Sequence, residues 1–303
     1  VTGGAQHSGQ RRRRHALEPY LYTLPAVLLI GAVMLVPLVL GISYAFHDVT
    51  LLDPMSGDYV GLAHFRELYH DAAFWNAARN TVVWTLASVL LQFALGLTLA
   101  MLLSREFPGR AITQLLVFLP WAVPSFLSGL NWAWLFNPVM GPLPHWLTAL
   151  RLMAAPENLL SSPEHALWGP IIANVWWGIP FFAITLLAAL QSIPADIYEA
   201  AAIDGATPWI RFRSITLPFL APTMAITILL RTVWIANFAD LIVVMTKGGP
   251  ADSTQILASY IFSQAFQRLD FGYASAVATV LLALLLAYAL ALMSLRALLL
   301  RRT

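Results

Sequence analysis

Six apolar runs, at 24–46, 81–103, 112–136, 168–190, 221–246 and 273–295, set the terms for this chain. Each approaches or exceeds the roughly 20 residues that an α-helix needs to cross a hydrocarbon core about 30 Å thick. A membrane barrel would instead alternate polar with apolar residues, and Val280-Leu281-Leu282-Ala283-Leu284-Leu285-Leu286 does not. Only 11% of the residues are charged, against about a quarter in a soluble domain, so water is not the main solvent. The expected fold is an all-α integral membrane bundle of six transmembrane helices.

Orientation follows from the Lys/Arg content of short loops. With the amino terminus cytoplasmic, that side holds Arg11 to Arg14, Arg105, Arg110, Arg211, Arg213, Arg296, Arg301 and Arg302. The other side holds Arg66, Arg79, Arg151, Lys247 and Arg268. This asymmetry predicts both termini in the cytoplasm. Arg11 to Arg14 ahead of an apolar run has the outline of a signal peptide, but the run is about 23 residues, against about 7–15, and no A-x-A site follows. A retained helix is expected. The same arginines account for the pI of about 9.1, so no nucleic-acid partner is inferred.

Residues 1–17 read as a disordered basic tail and 18–303 as one transmembrane domain. The external segments 47–80, 137–167 and 247–272 have room for short interfacial helices, with Trp75 and Trp146 suited to headgroup depth. Prolines interrupt several spans, at Pro25, Pro37, Pro120, Pro124, Pro170 and Pro180. Each either borders a pathway or merely kinks a structural helix.

Catalytic chemistry finds few residues to use. With no cysteine there is no disulfide, thiolate metal site or Cys nucleophile. A P-loop needs a lysine before Ser or Thr, and Lys247, the only lysine, precedes Gly248. His7, His15, His47, His64, His70, His145 and His165 all fall in the tail or external loops, and H-E-x-x-H is absent. No catalytic residue, metal ligand or bound cofactor is expected.

The segment Gln191 to Pro222 is too polar to span and too patterned for a simple loop. Pro194 suits a first helical turn, Ala195 to Asp204 holds strong helix formers, and Gly205 sits where a left-handed cap is wanted. Thr207 can cap a second short helix with Pro208 in its first position. Two short helices are therefore expected along the membrane surface, with Ile197, Ala201, Trp209 and Phe212 either docked on a partner or lying on the membrane as an amphipathic face.

Glu199-Ala200-Ala201, then Asp204-Gly205-Ala206, then Ile215-Thr216-Leu217-Pro218, resembles the EAA loop of permeases in binding-protein-dependent ABC importers. Leu119-Pro120-Trp121-Ala122-Val123-Pro124-Ser125-Phe126, Thr246-Lys247-Gly248-Gly249-Pro250 and Gly272-Tyr273-Ala274-Ser275-Ala276 narrow the resemblance to maltose-type carbohydrate permeases, and to the partner that carries T-x-G-G-P. The resemblance implies a six-span importer core in the cytoplasmic (inner) membrane of a bacterium or archaeon. It further implies a heterodimer with a second permease, two ATPase subunits that use ATP and Mg, and an extracytoplasmic binding protein that delivers the sugar. The loop 191–220 would carry the coupling helix, seated in a cleft of the ATPase, with Glu199, Ala200, Ala201, Asp204, Gly205 and Ala206 as coupling residues. The chain lacks the large external insertion after the first span that some maltose permeases carry.

A charge inside a membrane helix is costly and marks a functional candidate. Arg231, about ten residues into the fifth span, lies near the midplane at 1.5 Å per residue and is expected to face water, a partner or substrate. Trp234 and Phe238 share its face, while Asp240 points the opposite way with Asn237. The resemblance favours Arg231, Trp234 and Phe238 as pathway residues, with Asn174, Trp177, Gly178 and Phe181 in the fourth span and Ser125 and Ser128 in the third. Aromatic faces stack on sugars and Asn or Arg bonds their hydroxyls, although such aromatics also serve as packing. Arg231 leaves room for an anionic substrate such as a glycerol phosphate, and a polyol is a further alternative. An ion-coupled secondary transporter, the rival class, would need its own coupling site and usually repeats.

Overall fold

A computed structural model describes residues 20, 22–51 and 57–300, without the side chains of 295–300. The tail expected at 1–17, Arg301 and Arg302 lie outside the described residues. The helices are α1 (Tyr22–Tyr44), α2 (Ala63–His70), α3 (Ala72–Leu103), α4 (Arg110–Ala122), α5 (Ser125–Leu135), α6 (Pro142–Ala149) and α7 (Trp168–Gln191). They continue as α8 (Ala195–Ile203), α9 (Pro208–Arg211), α10 (Leu217–Ala236), α11 (Asp240–Met245), α12 (Leu257–Phe266) and α13 (Phe271–Leu300). Among the described residues, α1, α3, α7, the run Pro208–Met245 and α13 are long and apolar enough to cross a membrane. Short helices α2, α6 and α12 occupy the three segments expected to hold them.

The run expected as a single span at 112–136 is instead a bent pair, α4 and α5, turned by 98°. Its cause is local. Proline disfavours the helical region at the residue before it, and Val123 ahead of Pro124 is extended, at φ −92° and ψ 122°. The carbonyl freed at Val123 accepts from Trp177 Nε1 at 3.2 Å. Pro180 sits inside α7 without ending it.

The core forms where α3 and α7 run against each other, with α10 and α11 packed alongside. Between membrane helices, small residues that let backbones approach replace the hydrophobic drive available in water. Gly96 supplies that approach: a Cβ there would collide with Phe182 Cβ and lie 3.1 Å from the Ala183 amide. Trp84, Phe182, Leu186 and Ile235 are buried around it, and Trp84 Nε1 donates to the Ile235 carbonyl at 2.9 Å. By contrast, α1 buries nothing within the chain and points its side chains outward.

Polar side chains fasten the start of α3 to the segment around α12. Asn80 Nδ2 donates to the carbonyls of Ser253 and Gln255, and Thr81 Oγ1 accepts from the Leu257 amide at 2.8 Å. Asp71 caps α3 by accepting from the Ala73 amide, while its second oxygen accepts from the Tyr260 and Tyr273 hydroxyls at 2.5 and 2.6 Å. Burial works to raise the Asp71 carboxyl, but these bonds and the Phe74 amide outweigh it and hold the group below its ordinary 3.8. Burial and Asp71 push the Tyr260 hydroxyl up to about 12.

A depressed carboxyl stabilises fully above its ordinary value and ceases to do so as pH falls through its folded value; a raised phenol does so below 10 and is lost as pH climbs toward 12. Asp71→Asn is therefore expected to lower the melting temperature at pH 7, by the equivalent of about 1–2 kcal/mol for charge-assisted bonds in a partly solvated setting. It is also expected to flatten the acid limb of stability. Thermal melts across pH in detergent check both, and an unchanged acid limb would refute the assignment.

Candidate functional site

The fourth and fifth spans bring most of the expected pathway residues into one cluster, around Arg231. Its guanidinium lies over the rings of Trp234, Phe181 and Trp177 at 5.0, 5.5 and 5.6 Å. Phe238 stacks on Trp177 at 5.2 Å and 11°. Gly178 leaves the room, since a Cβ there would collide with Arg231 Nη2 and the Gln92 amide. Gln92, on α3, accepts from Arg231 Nε at 2.7 Å and donates to the Asn174 carbonyl at 2.9 Å. One glutamine thereby ties three helices together.

Arg231 is 1% exposed, so in this conformation the guanidinium is not open to water. Its own chain encloses it because Gly178 and Gln92 open a place behind the aromatic wall. The wall itself is partly open, with Trp234 44% exposed. Arg231 Nη1 and Nη2 and both polar atoms of the fully buried Asn174 amide have no hydrogen-bond partner among the described residues. Gln92 escaped the sequence reading, although a lone amide in the run 81–103 is the kind of polar outlier that marks a membrane site.

Asp240 does not lie on Arg231's helix. The chain leaves helical geometry after Ala236, and Asp240 opens α11, where it accepts from Ser125 Oγ at 2.5 Å. Asn237 turns back to its own helix, donating to the Val233 carbonyl. Ser125 thus holds an acid across the α4–α5 break. Ser128 is buried on α5, beside Gly129, whose Cβ position faces Val244 and Leu241 of α11.

In the loop after α7, Ala195–Ile203 is helical and ends at Gly205 with φ +78°. The Ala206 amide donates to Ala201 and the Gly205 amide to Ala202, the paired bonds of a Schellman end. Thr207 accepts from the Ile210 amide and Pro208 takes the first helical position. The second helix is not a separate surface helix, however. A π-helical turn, Phe212–Thr216, carries α9 into α10. Glu199 and Ala200 are exposed, as are Ile203 at 88% and Trp209 at 67%; Ile197, Ala201 and Phe212 are half-buried. Tyr198 hydroxyl meets Thr216 Oγ1 at 2.9 Å and holds α8 to the root of α10.

A bundle of long apolar helices around a partly open aromatic wall, with an exposed capped helix on one loop, is the architecture of a multi-pass membrane permease. Residues 92–303 match the family described as binding-protein-dependent transport system inner membrane component, and the chain belongs to it. A probable ABC transporter permease protein of Brucella suis is 36% identical over 270 residues, covering 89% of this chain and 93% of the relative. The trehalose/maltose transport system permease protein MalF of Thermococcus litoralis is 34% identical over 276 residues, covering 91% and 92%. A solved bacterial ABC transporter involved in import of the acidic polysaccharide alginate superposes with TM-score 0.81 at 24% identity, covering 96% and 98%. The chain is thus a permease subunit of an ABC importer of the inner membrane, in a family whose ATPase is a separate subunit.

The geometry at Gly178 is directly testable. Gly178→Ala would overpack a closed site, which costs about 1–3 kcal/mol, and would push Arg231 off its rings. A lowered melting temperature together with shifted tryptophan emission, from Trp177 and Trp234, is the expected result. Wild-type values for both would show that the guanidinium does not occupy this place.

Proposed function

We propose that this chain forms half of a carbohydrate translocation pathway, lined by the wall Trp177, Phe181, Trp234 and Phe238, and that α8 couples it to a separate ATPase. The observation that carries the reading is the pairing of a half-open aromatic wall with buried Asn and Arg groups behind it. Sugars present apolar faces to rings and hydroxyls to such groups. The trehalose/maltose function named for the Thermococcus relative supports a sugar, as does the polysaccharide named for the alginate transporter.

A second permease completes the pathway, one of the two ATPases seats against Glu199 to Ala206, and an extracytoplasmic binding protein delivers substrate. Both termini and the 191–220 loop face the cytoplasm, in line with the arginine distribution. The exposed Ile203 on α8 and Trp209 on α9 give the loop an apolar surface for the ATPase cleft, and Glu199 gives it a charge.

Mutations at the turn test the coupling. No atom lies within 4 Å of a Cβ on Gly205, so backbone strain alone decides what is tolerated there. Asn accepts the left-handed region and Val does not. Gly205→Val and Glu199→Arg are expected to insert normally and to abolish ATP-dependent uptake in reconstituted vesicles, with hydrolysis no longer stimulated by loaded binding protein, while Gly205→Asn retains most activity. Wild-type uptake and stimulation in Gly205→Val and Glu199→Arg would overturn the coupling role.

A further inference from the structure

We infer that the transported carbohydrate carries an anionic group, a carboxylate or a phosphate, and that Arg231 is the residue that selects for it, with Gln92 as its positioning residue. The inference rests on the proposed reading of the aromatic wall as a pathway surface.

A guanidinium offers five N–H donors in a planar fork. Here one of them, on Nε, meets Gln92 Oε1 at 2.7 Å, and both terminal nitrogens lack a hydrogen-bond partner among the described residues. Burying a charge in a membrane bundle costs several kcal/mol unless it is paired. Three ring faces offset part of that through cation–π attraction, but a ring face accepts no bidentate bond. The acid nearest along the chain, Asp240, has its carboxylate on Ser125. The counter-charge that fits the free edge of the fork is therefore one the substrate brings.

Gln92 sets which edge is free. By taking Nε on its carbonyl oxygen and giving its amide to the Asn174 carbonyl, it leaves Nη1 and Nη2 as the unpartnered nitrogens, with Nη2 beside Gly178 of α7. The Asn174 side chain, fully buried with donor and acceptor both unpartnered, adds the complement for hydroxyls in the same part of α7. A cation that pairs bidentately with oxyanions, an amide for hydroxyls and a partly open aromatic wall together describe an acidic sugar better than a neutral one. Both nitrogens are enclosed in this conformation, and Trp234, 44% exposed, is the most exposed of the three rings that cover the guanidinium.

The test uses the complex purified through this chain, in lipid nanodiscs, without binding protein. Titrations of maltose, a glucuronic-acid disaccharide and glucose 6-phosphate are followed by tryptophan emission and calorimetry. One charge-assisted bond predicts that a charged sugar binds at least about tenfold more tightly than maltose, and the two charged probes separate carboxylate from phosphate. Arg231→Gln is expected to erase the preference, Arg231→Lys to keep it in weakened form, and Gln92→Leu to reduce it without removing it.

Equal affinity for maltose and both charged probes would overturn the inference and leave the carbohydrate reading standing. Binding of none of the three would overturn both. A preference that persists in Arg231→Gln would also overturn it, by placing the selection elsewhere. Should that variant fail to assemble, the wild-type comparison and Arg231→Lys still decide: an Arg231→Lys complex with undiminished discrimination would show that the fork is not the recognition element.

Discussion

The close approach of α3 and α7 is the contact on which the rest of the bundle depends. In lipid no hydrophobic force drives helices together, so association relies on packing and on a few polar links. Two glycines permit both. Gly96 admits Phe182 to the α3 backbone, and Gly178 opens the space that the Gln92 amide and the Arg231 guanidinium fill. The apolar contact and the polar cluster are consequences of the same missing side chains, one on each helix. Through Arg231 the pair also holds α10, so a residue that reads as an isolated charge in the sequence becomes a three-helix joint.

The polar links are unevenly distributed. At one end of α3, Asp71, Asn80 and Thr81 bind the segment around α12 and α13 through several short hydrogen bonds. In the loop after α7, α8 is held to the bundle by the Tyr198–Thr216 hydroxyl pair and by its capped turn. Regions with few buried contacts are those that open most easily. On the proposed reading this division is useful: a firmly tied end keeps the helices in register, and a lightly tied helix is free to be moved by a partner.

The long apolar runs, the left-handed Gly205, the Thr207 cap and the shared face of Arg231 and Trp234 were legible in the sequence because each follows from local rules, while Phe238 lies beyond the end of that helix and stacks on Trp177. What escaped depended on distant partners. Pro120 and Pro124 mark a disturbance, but whether the chain bends or breaks turns on where the Val123 carbonyl finds a donor, and Trp177 lies on another span. Gln92 carries no signal of its role until α7 and α10 are packed beside it. Pro208, Pro218 and Pro222 invite a helix to start and stop, yet a π turn at Phe212–Thr216 lets one helix run on through Pro218 and Pro222.

That merged helix changes how motion at the loop can travel. Had α9 been a separate surface helix, a displacement of α8 would have been absorbed in a flexible joint before reaching the membrane. Instead the Schellman turn at Gly205 feeds almost directly into a helical run from Pro208 to Ala236, and Arg231 lies about 35 Å along it at 1.5 Å per residue. A helix of that length transmits rotation and translation, with soft places at the π turn and at Pro218 and Pro222, where backbone donors are missing. The charged joint with Gln92 and the three rings sits near the far end, before helical geometry lapses beyond Ala236. A push on α8 is therefore expected to be felt first where Arg231 meets α3 and α7, the point at which a small change in helix spacing would expose or enclose the guanidinium.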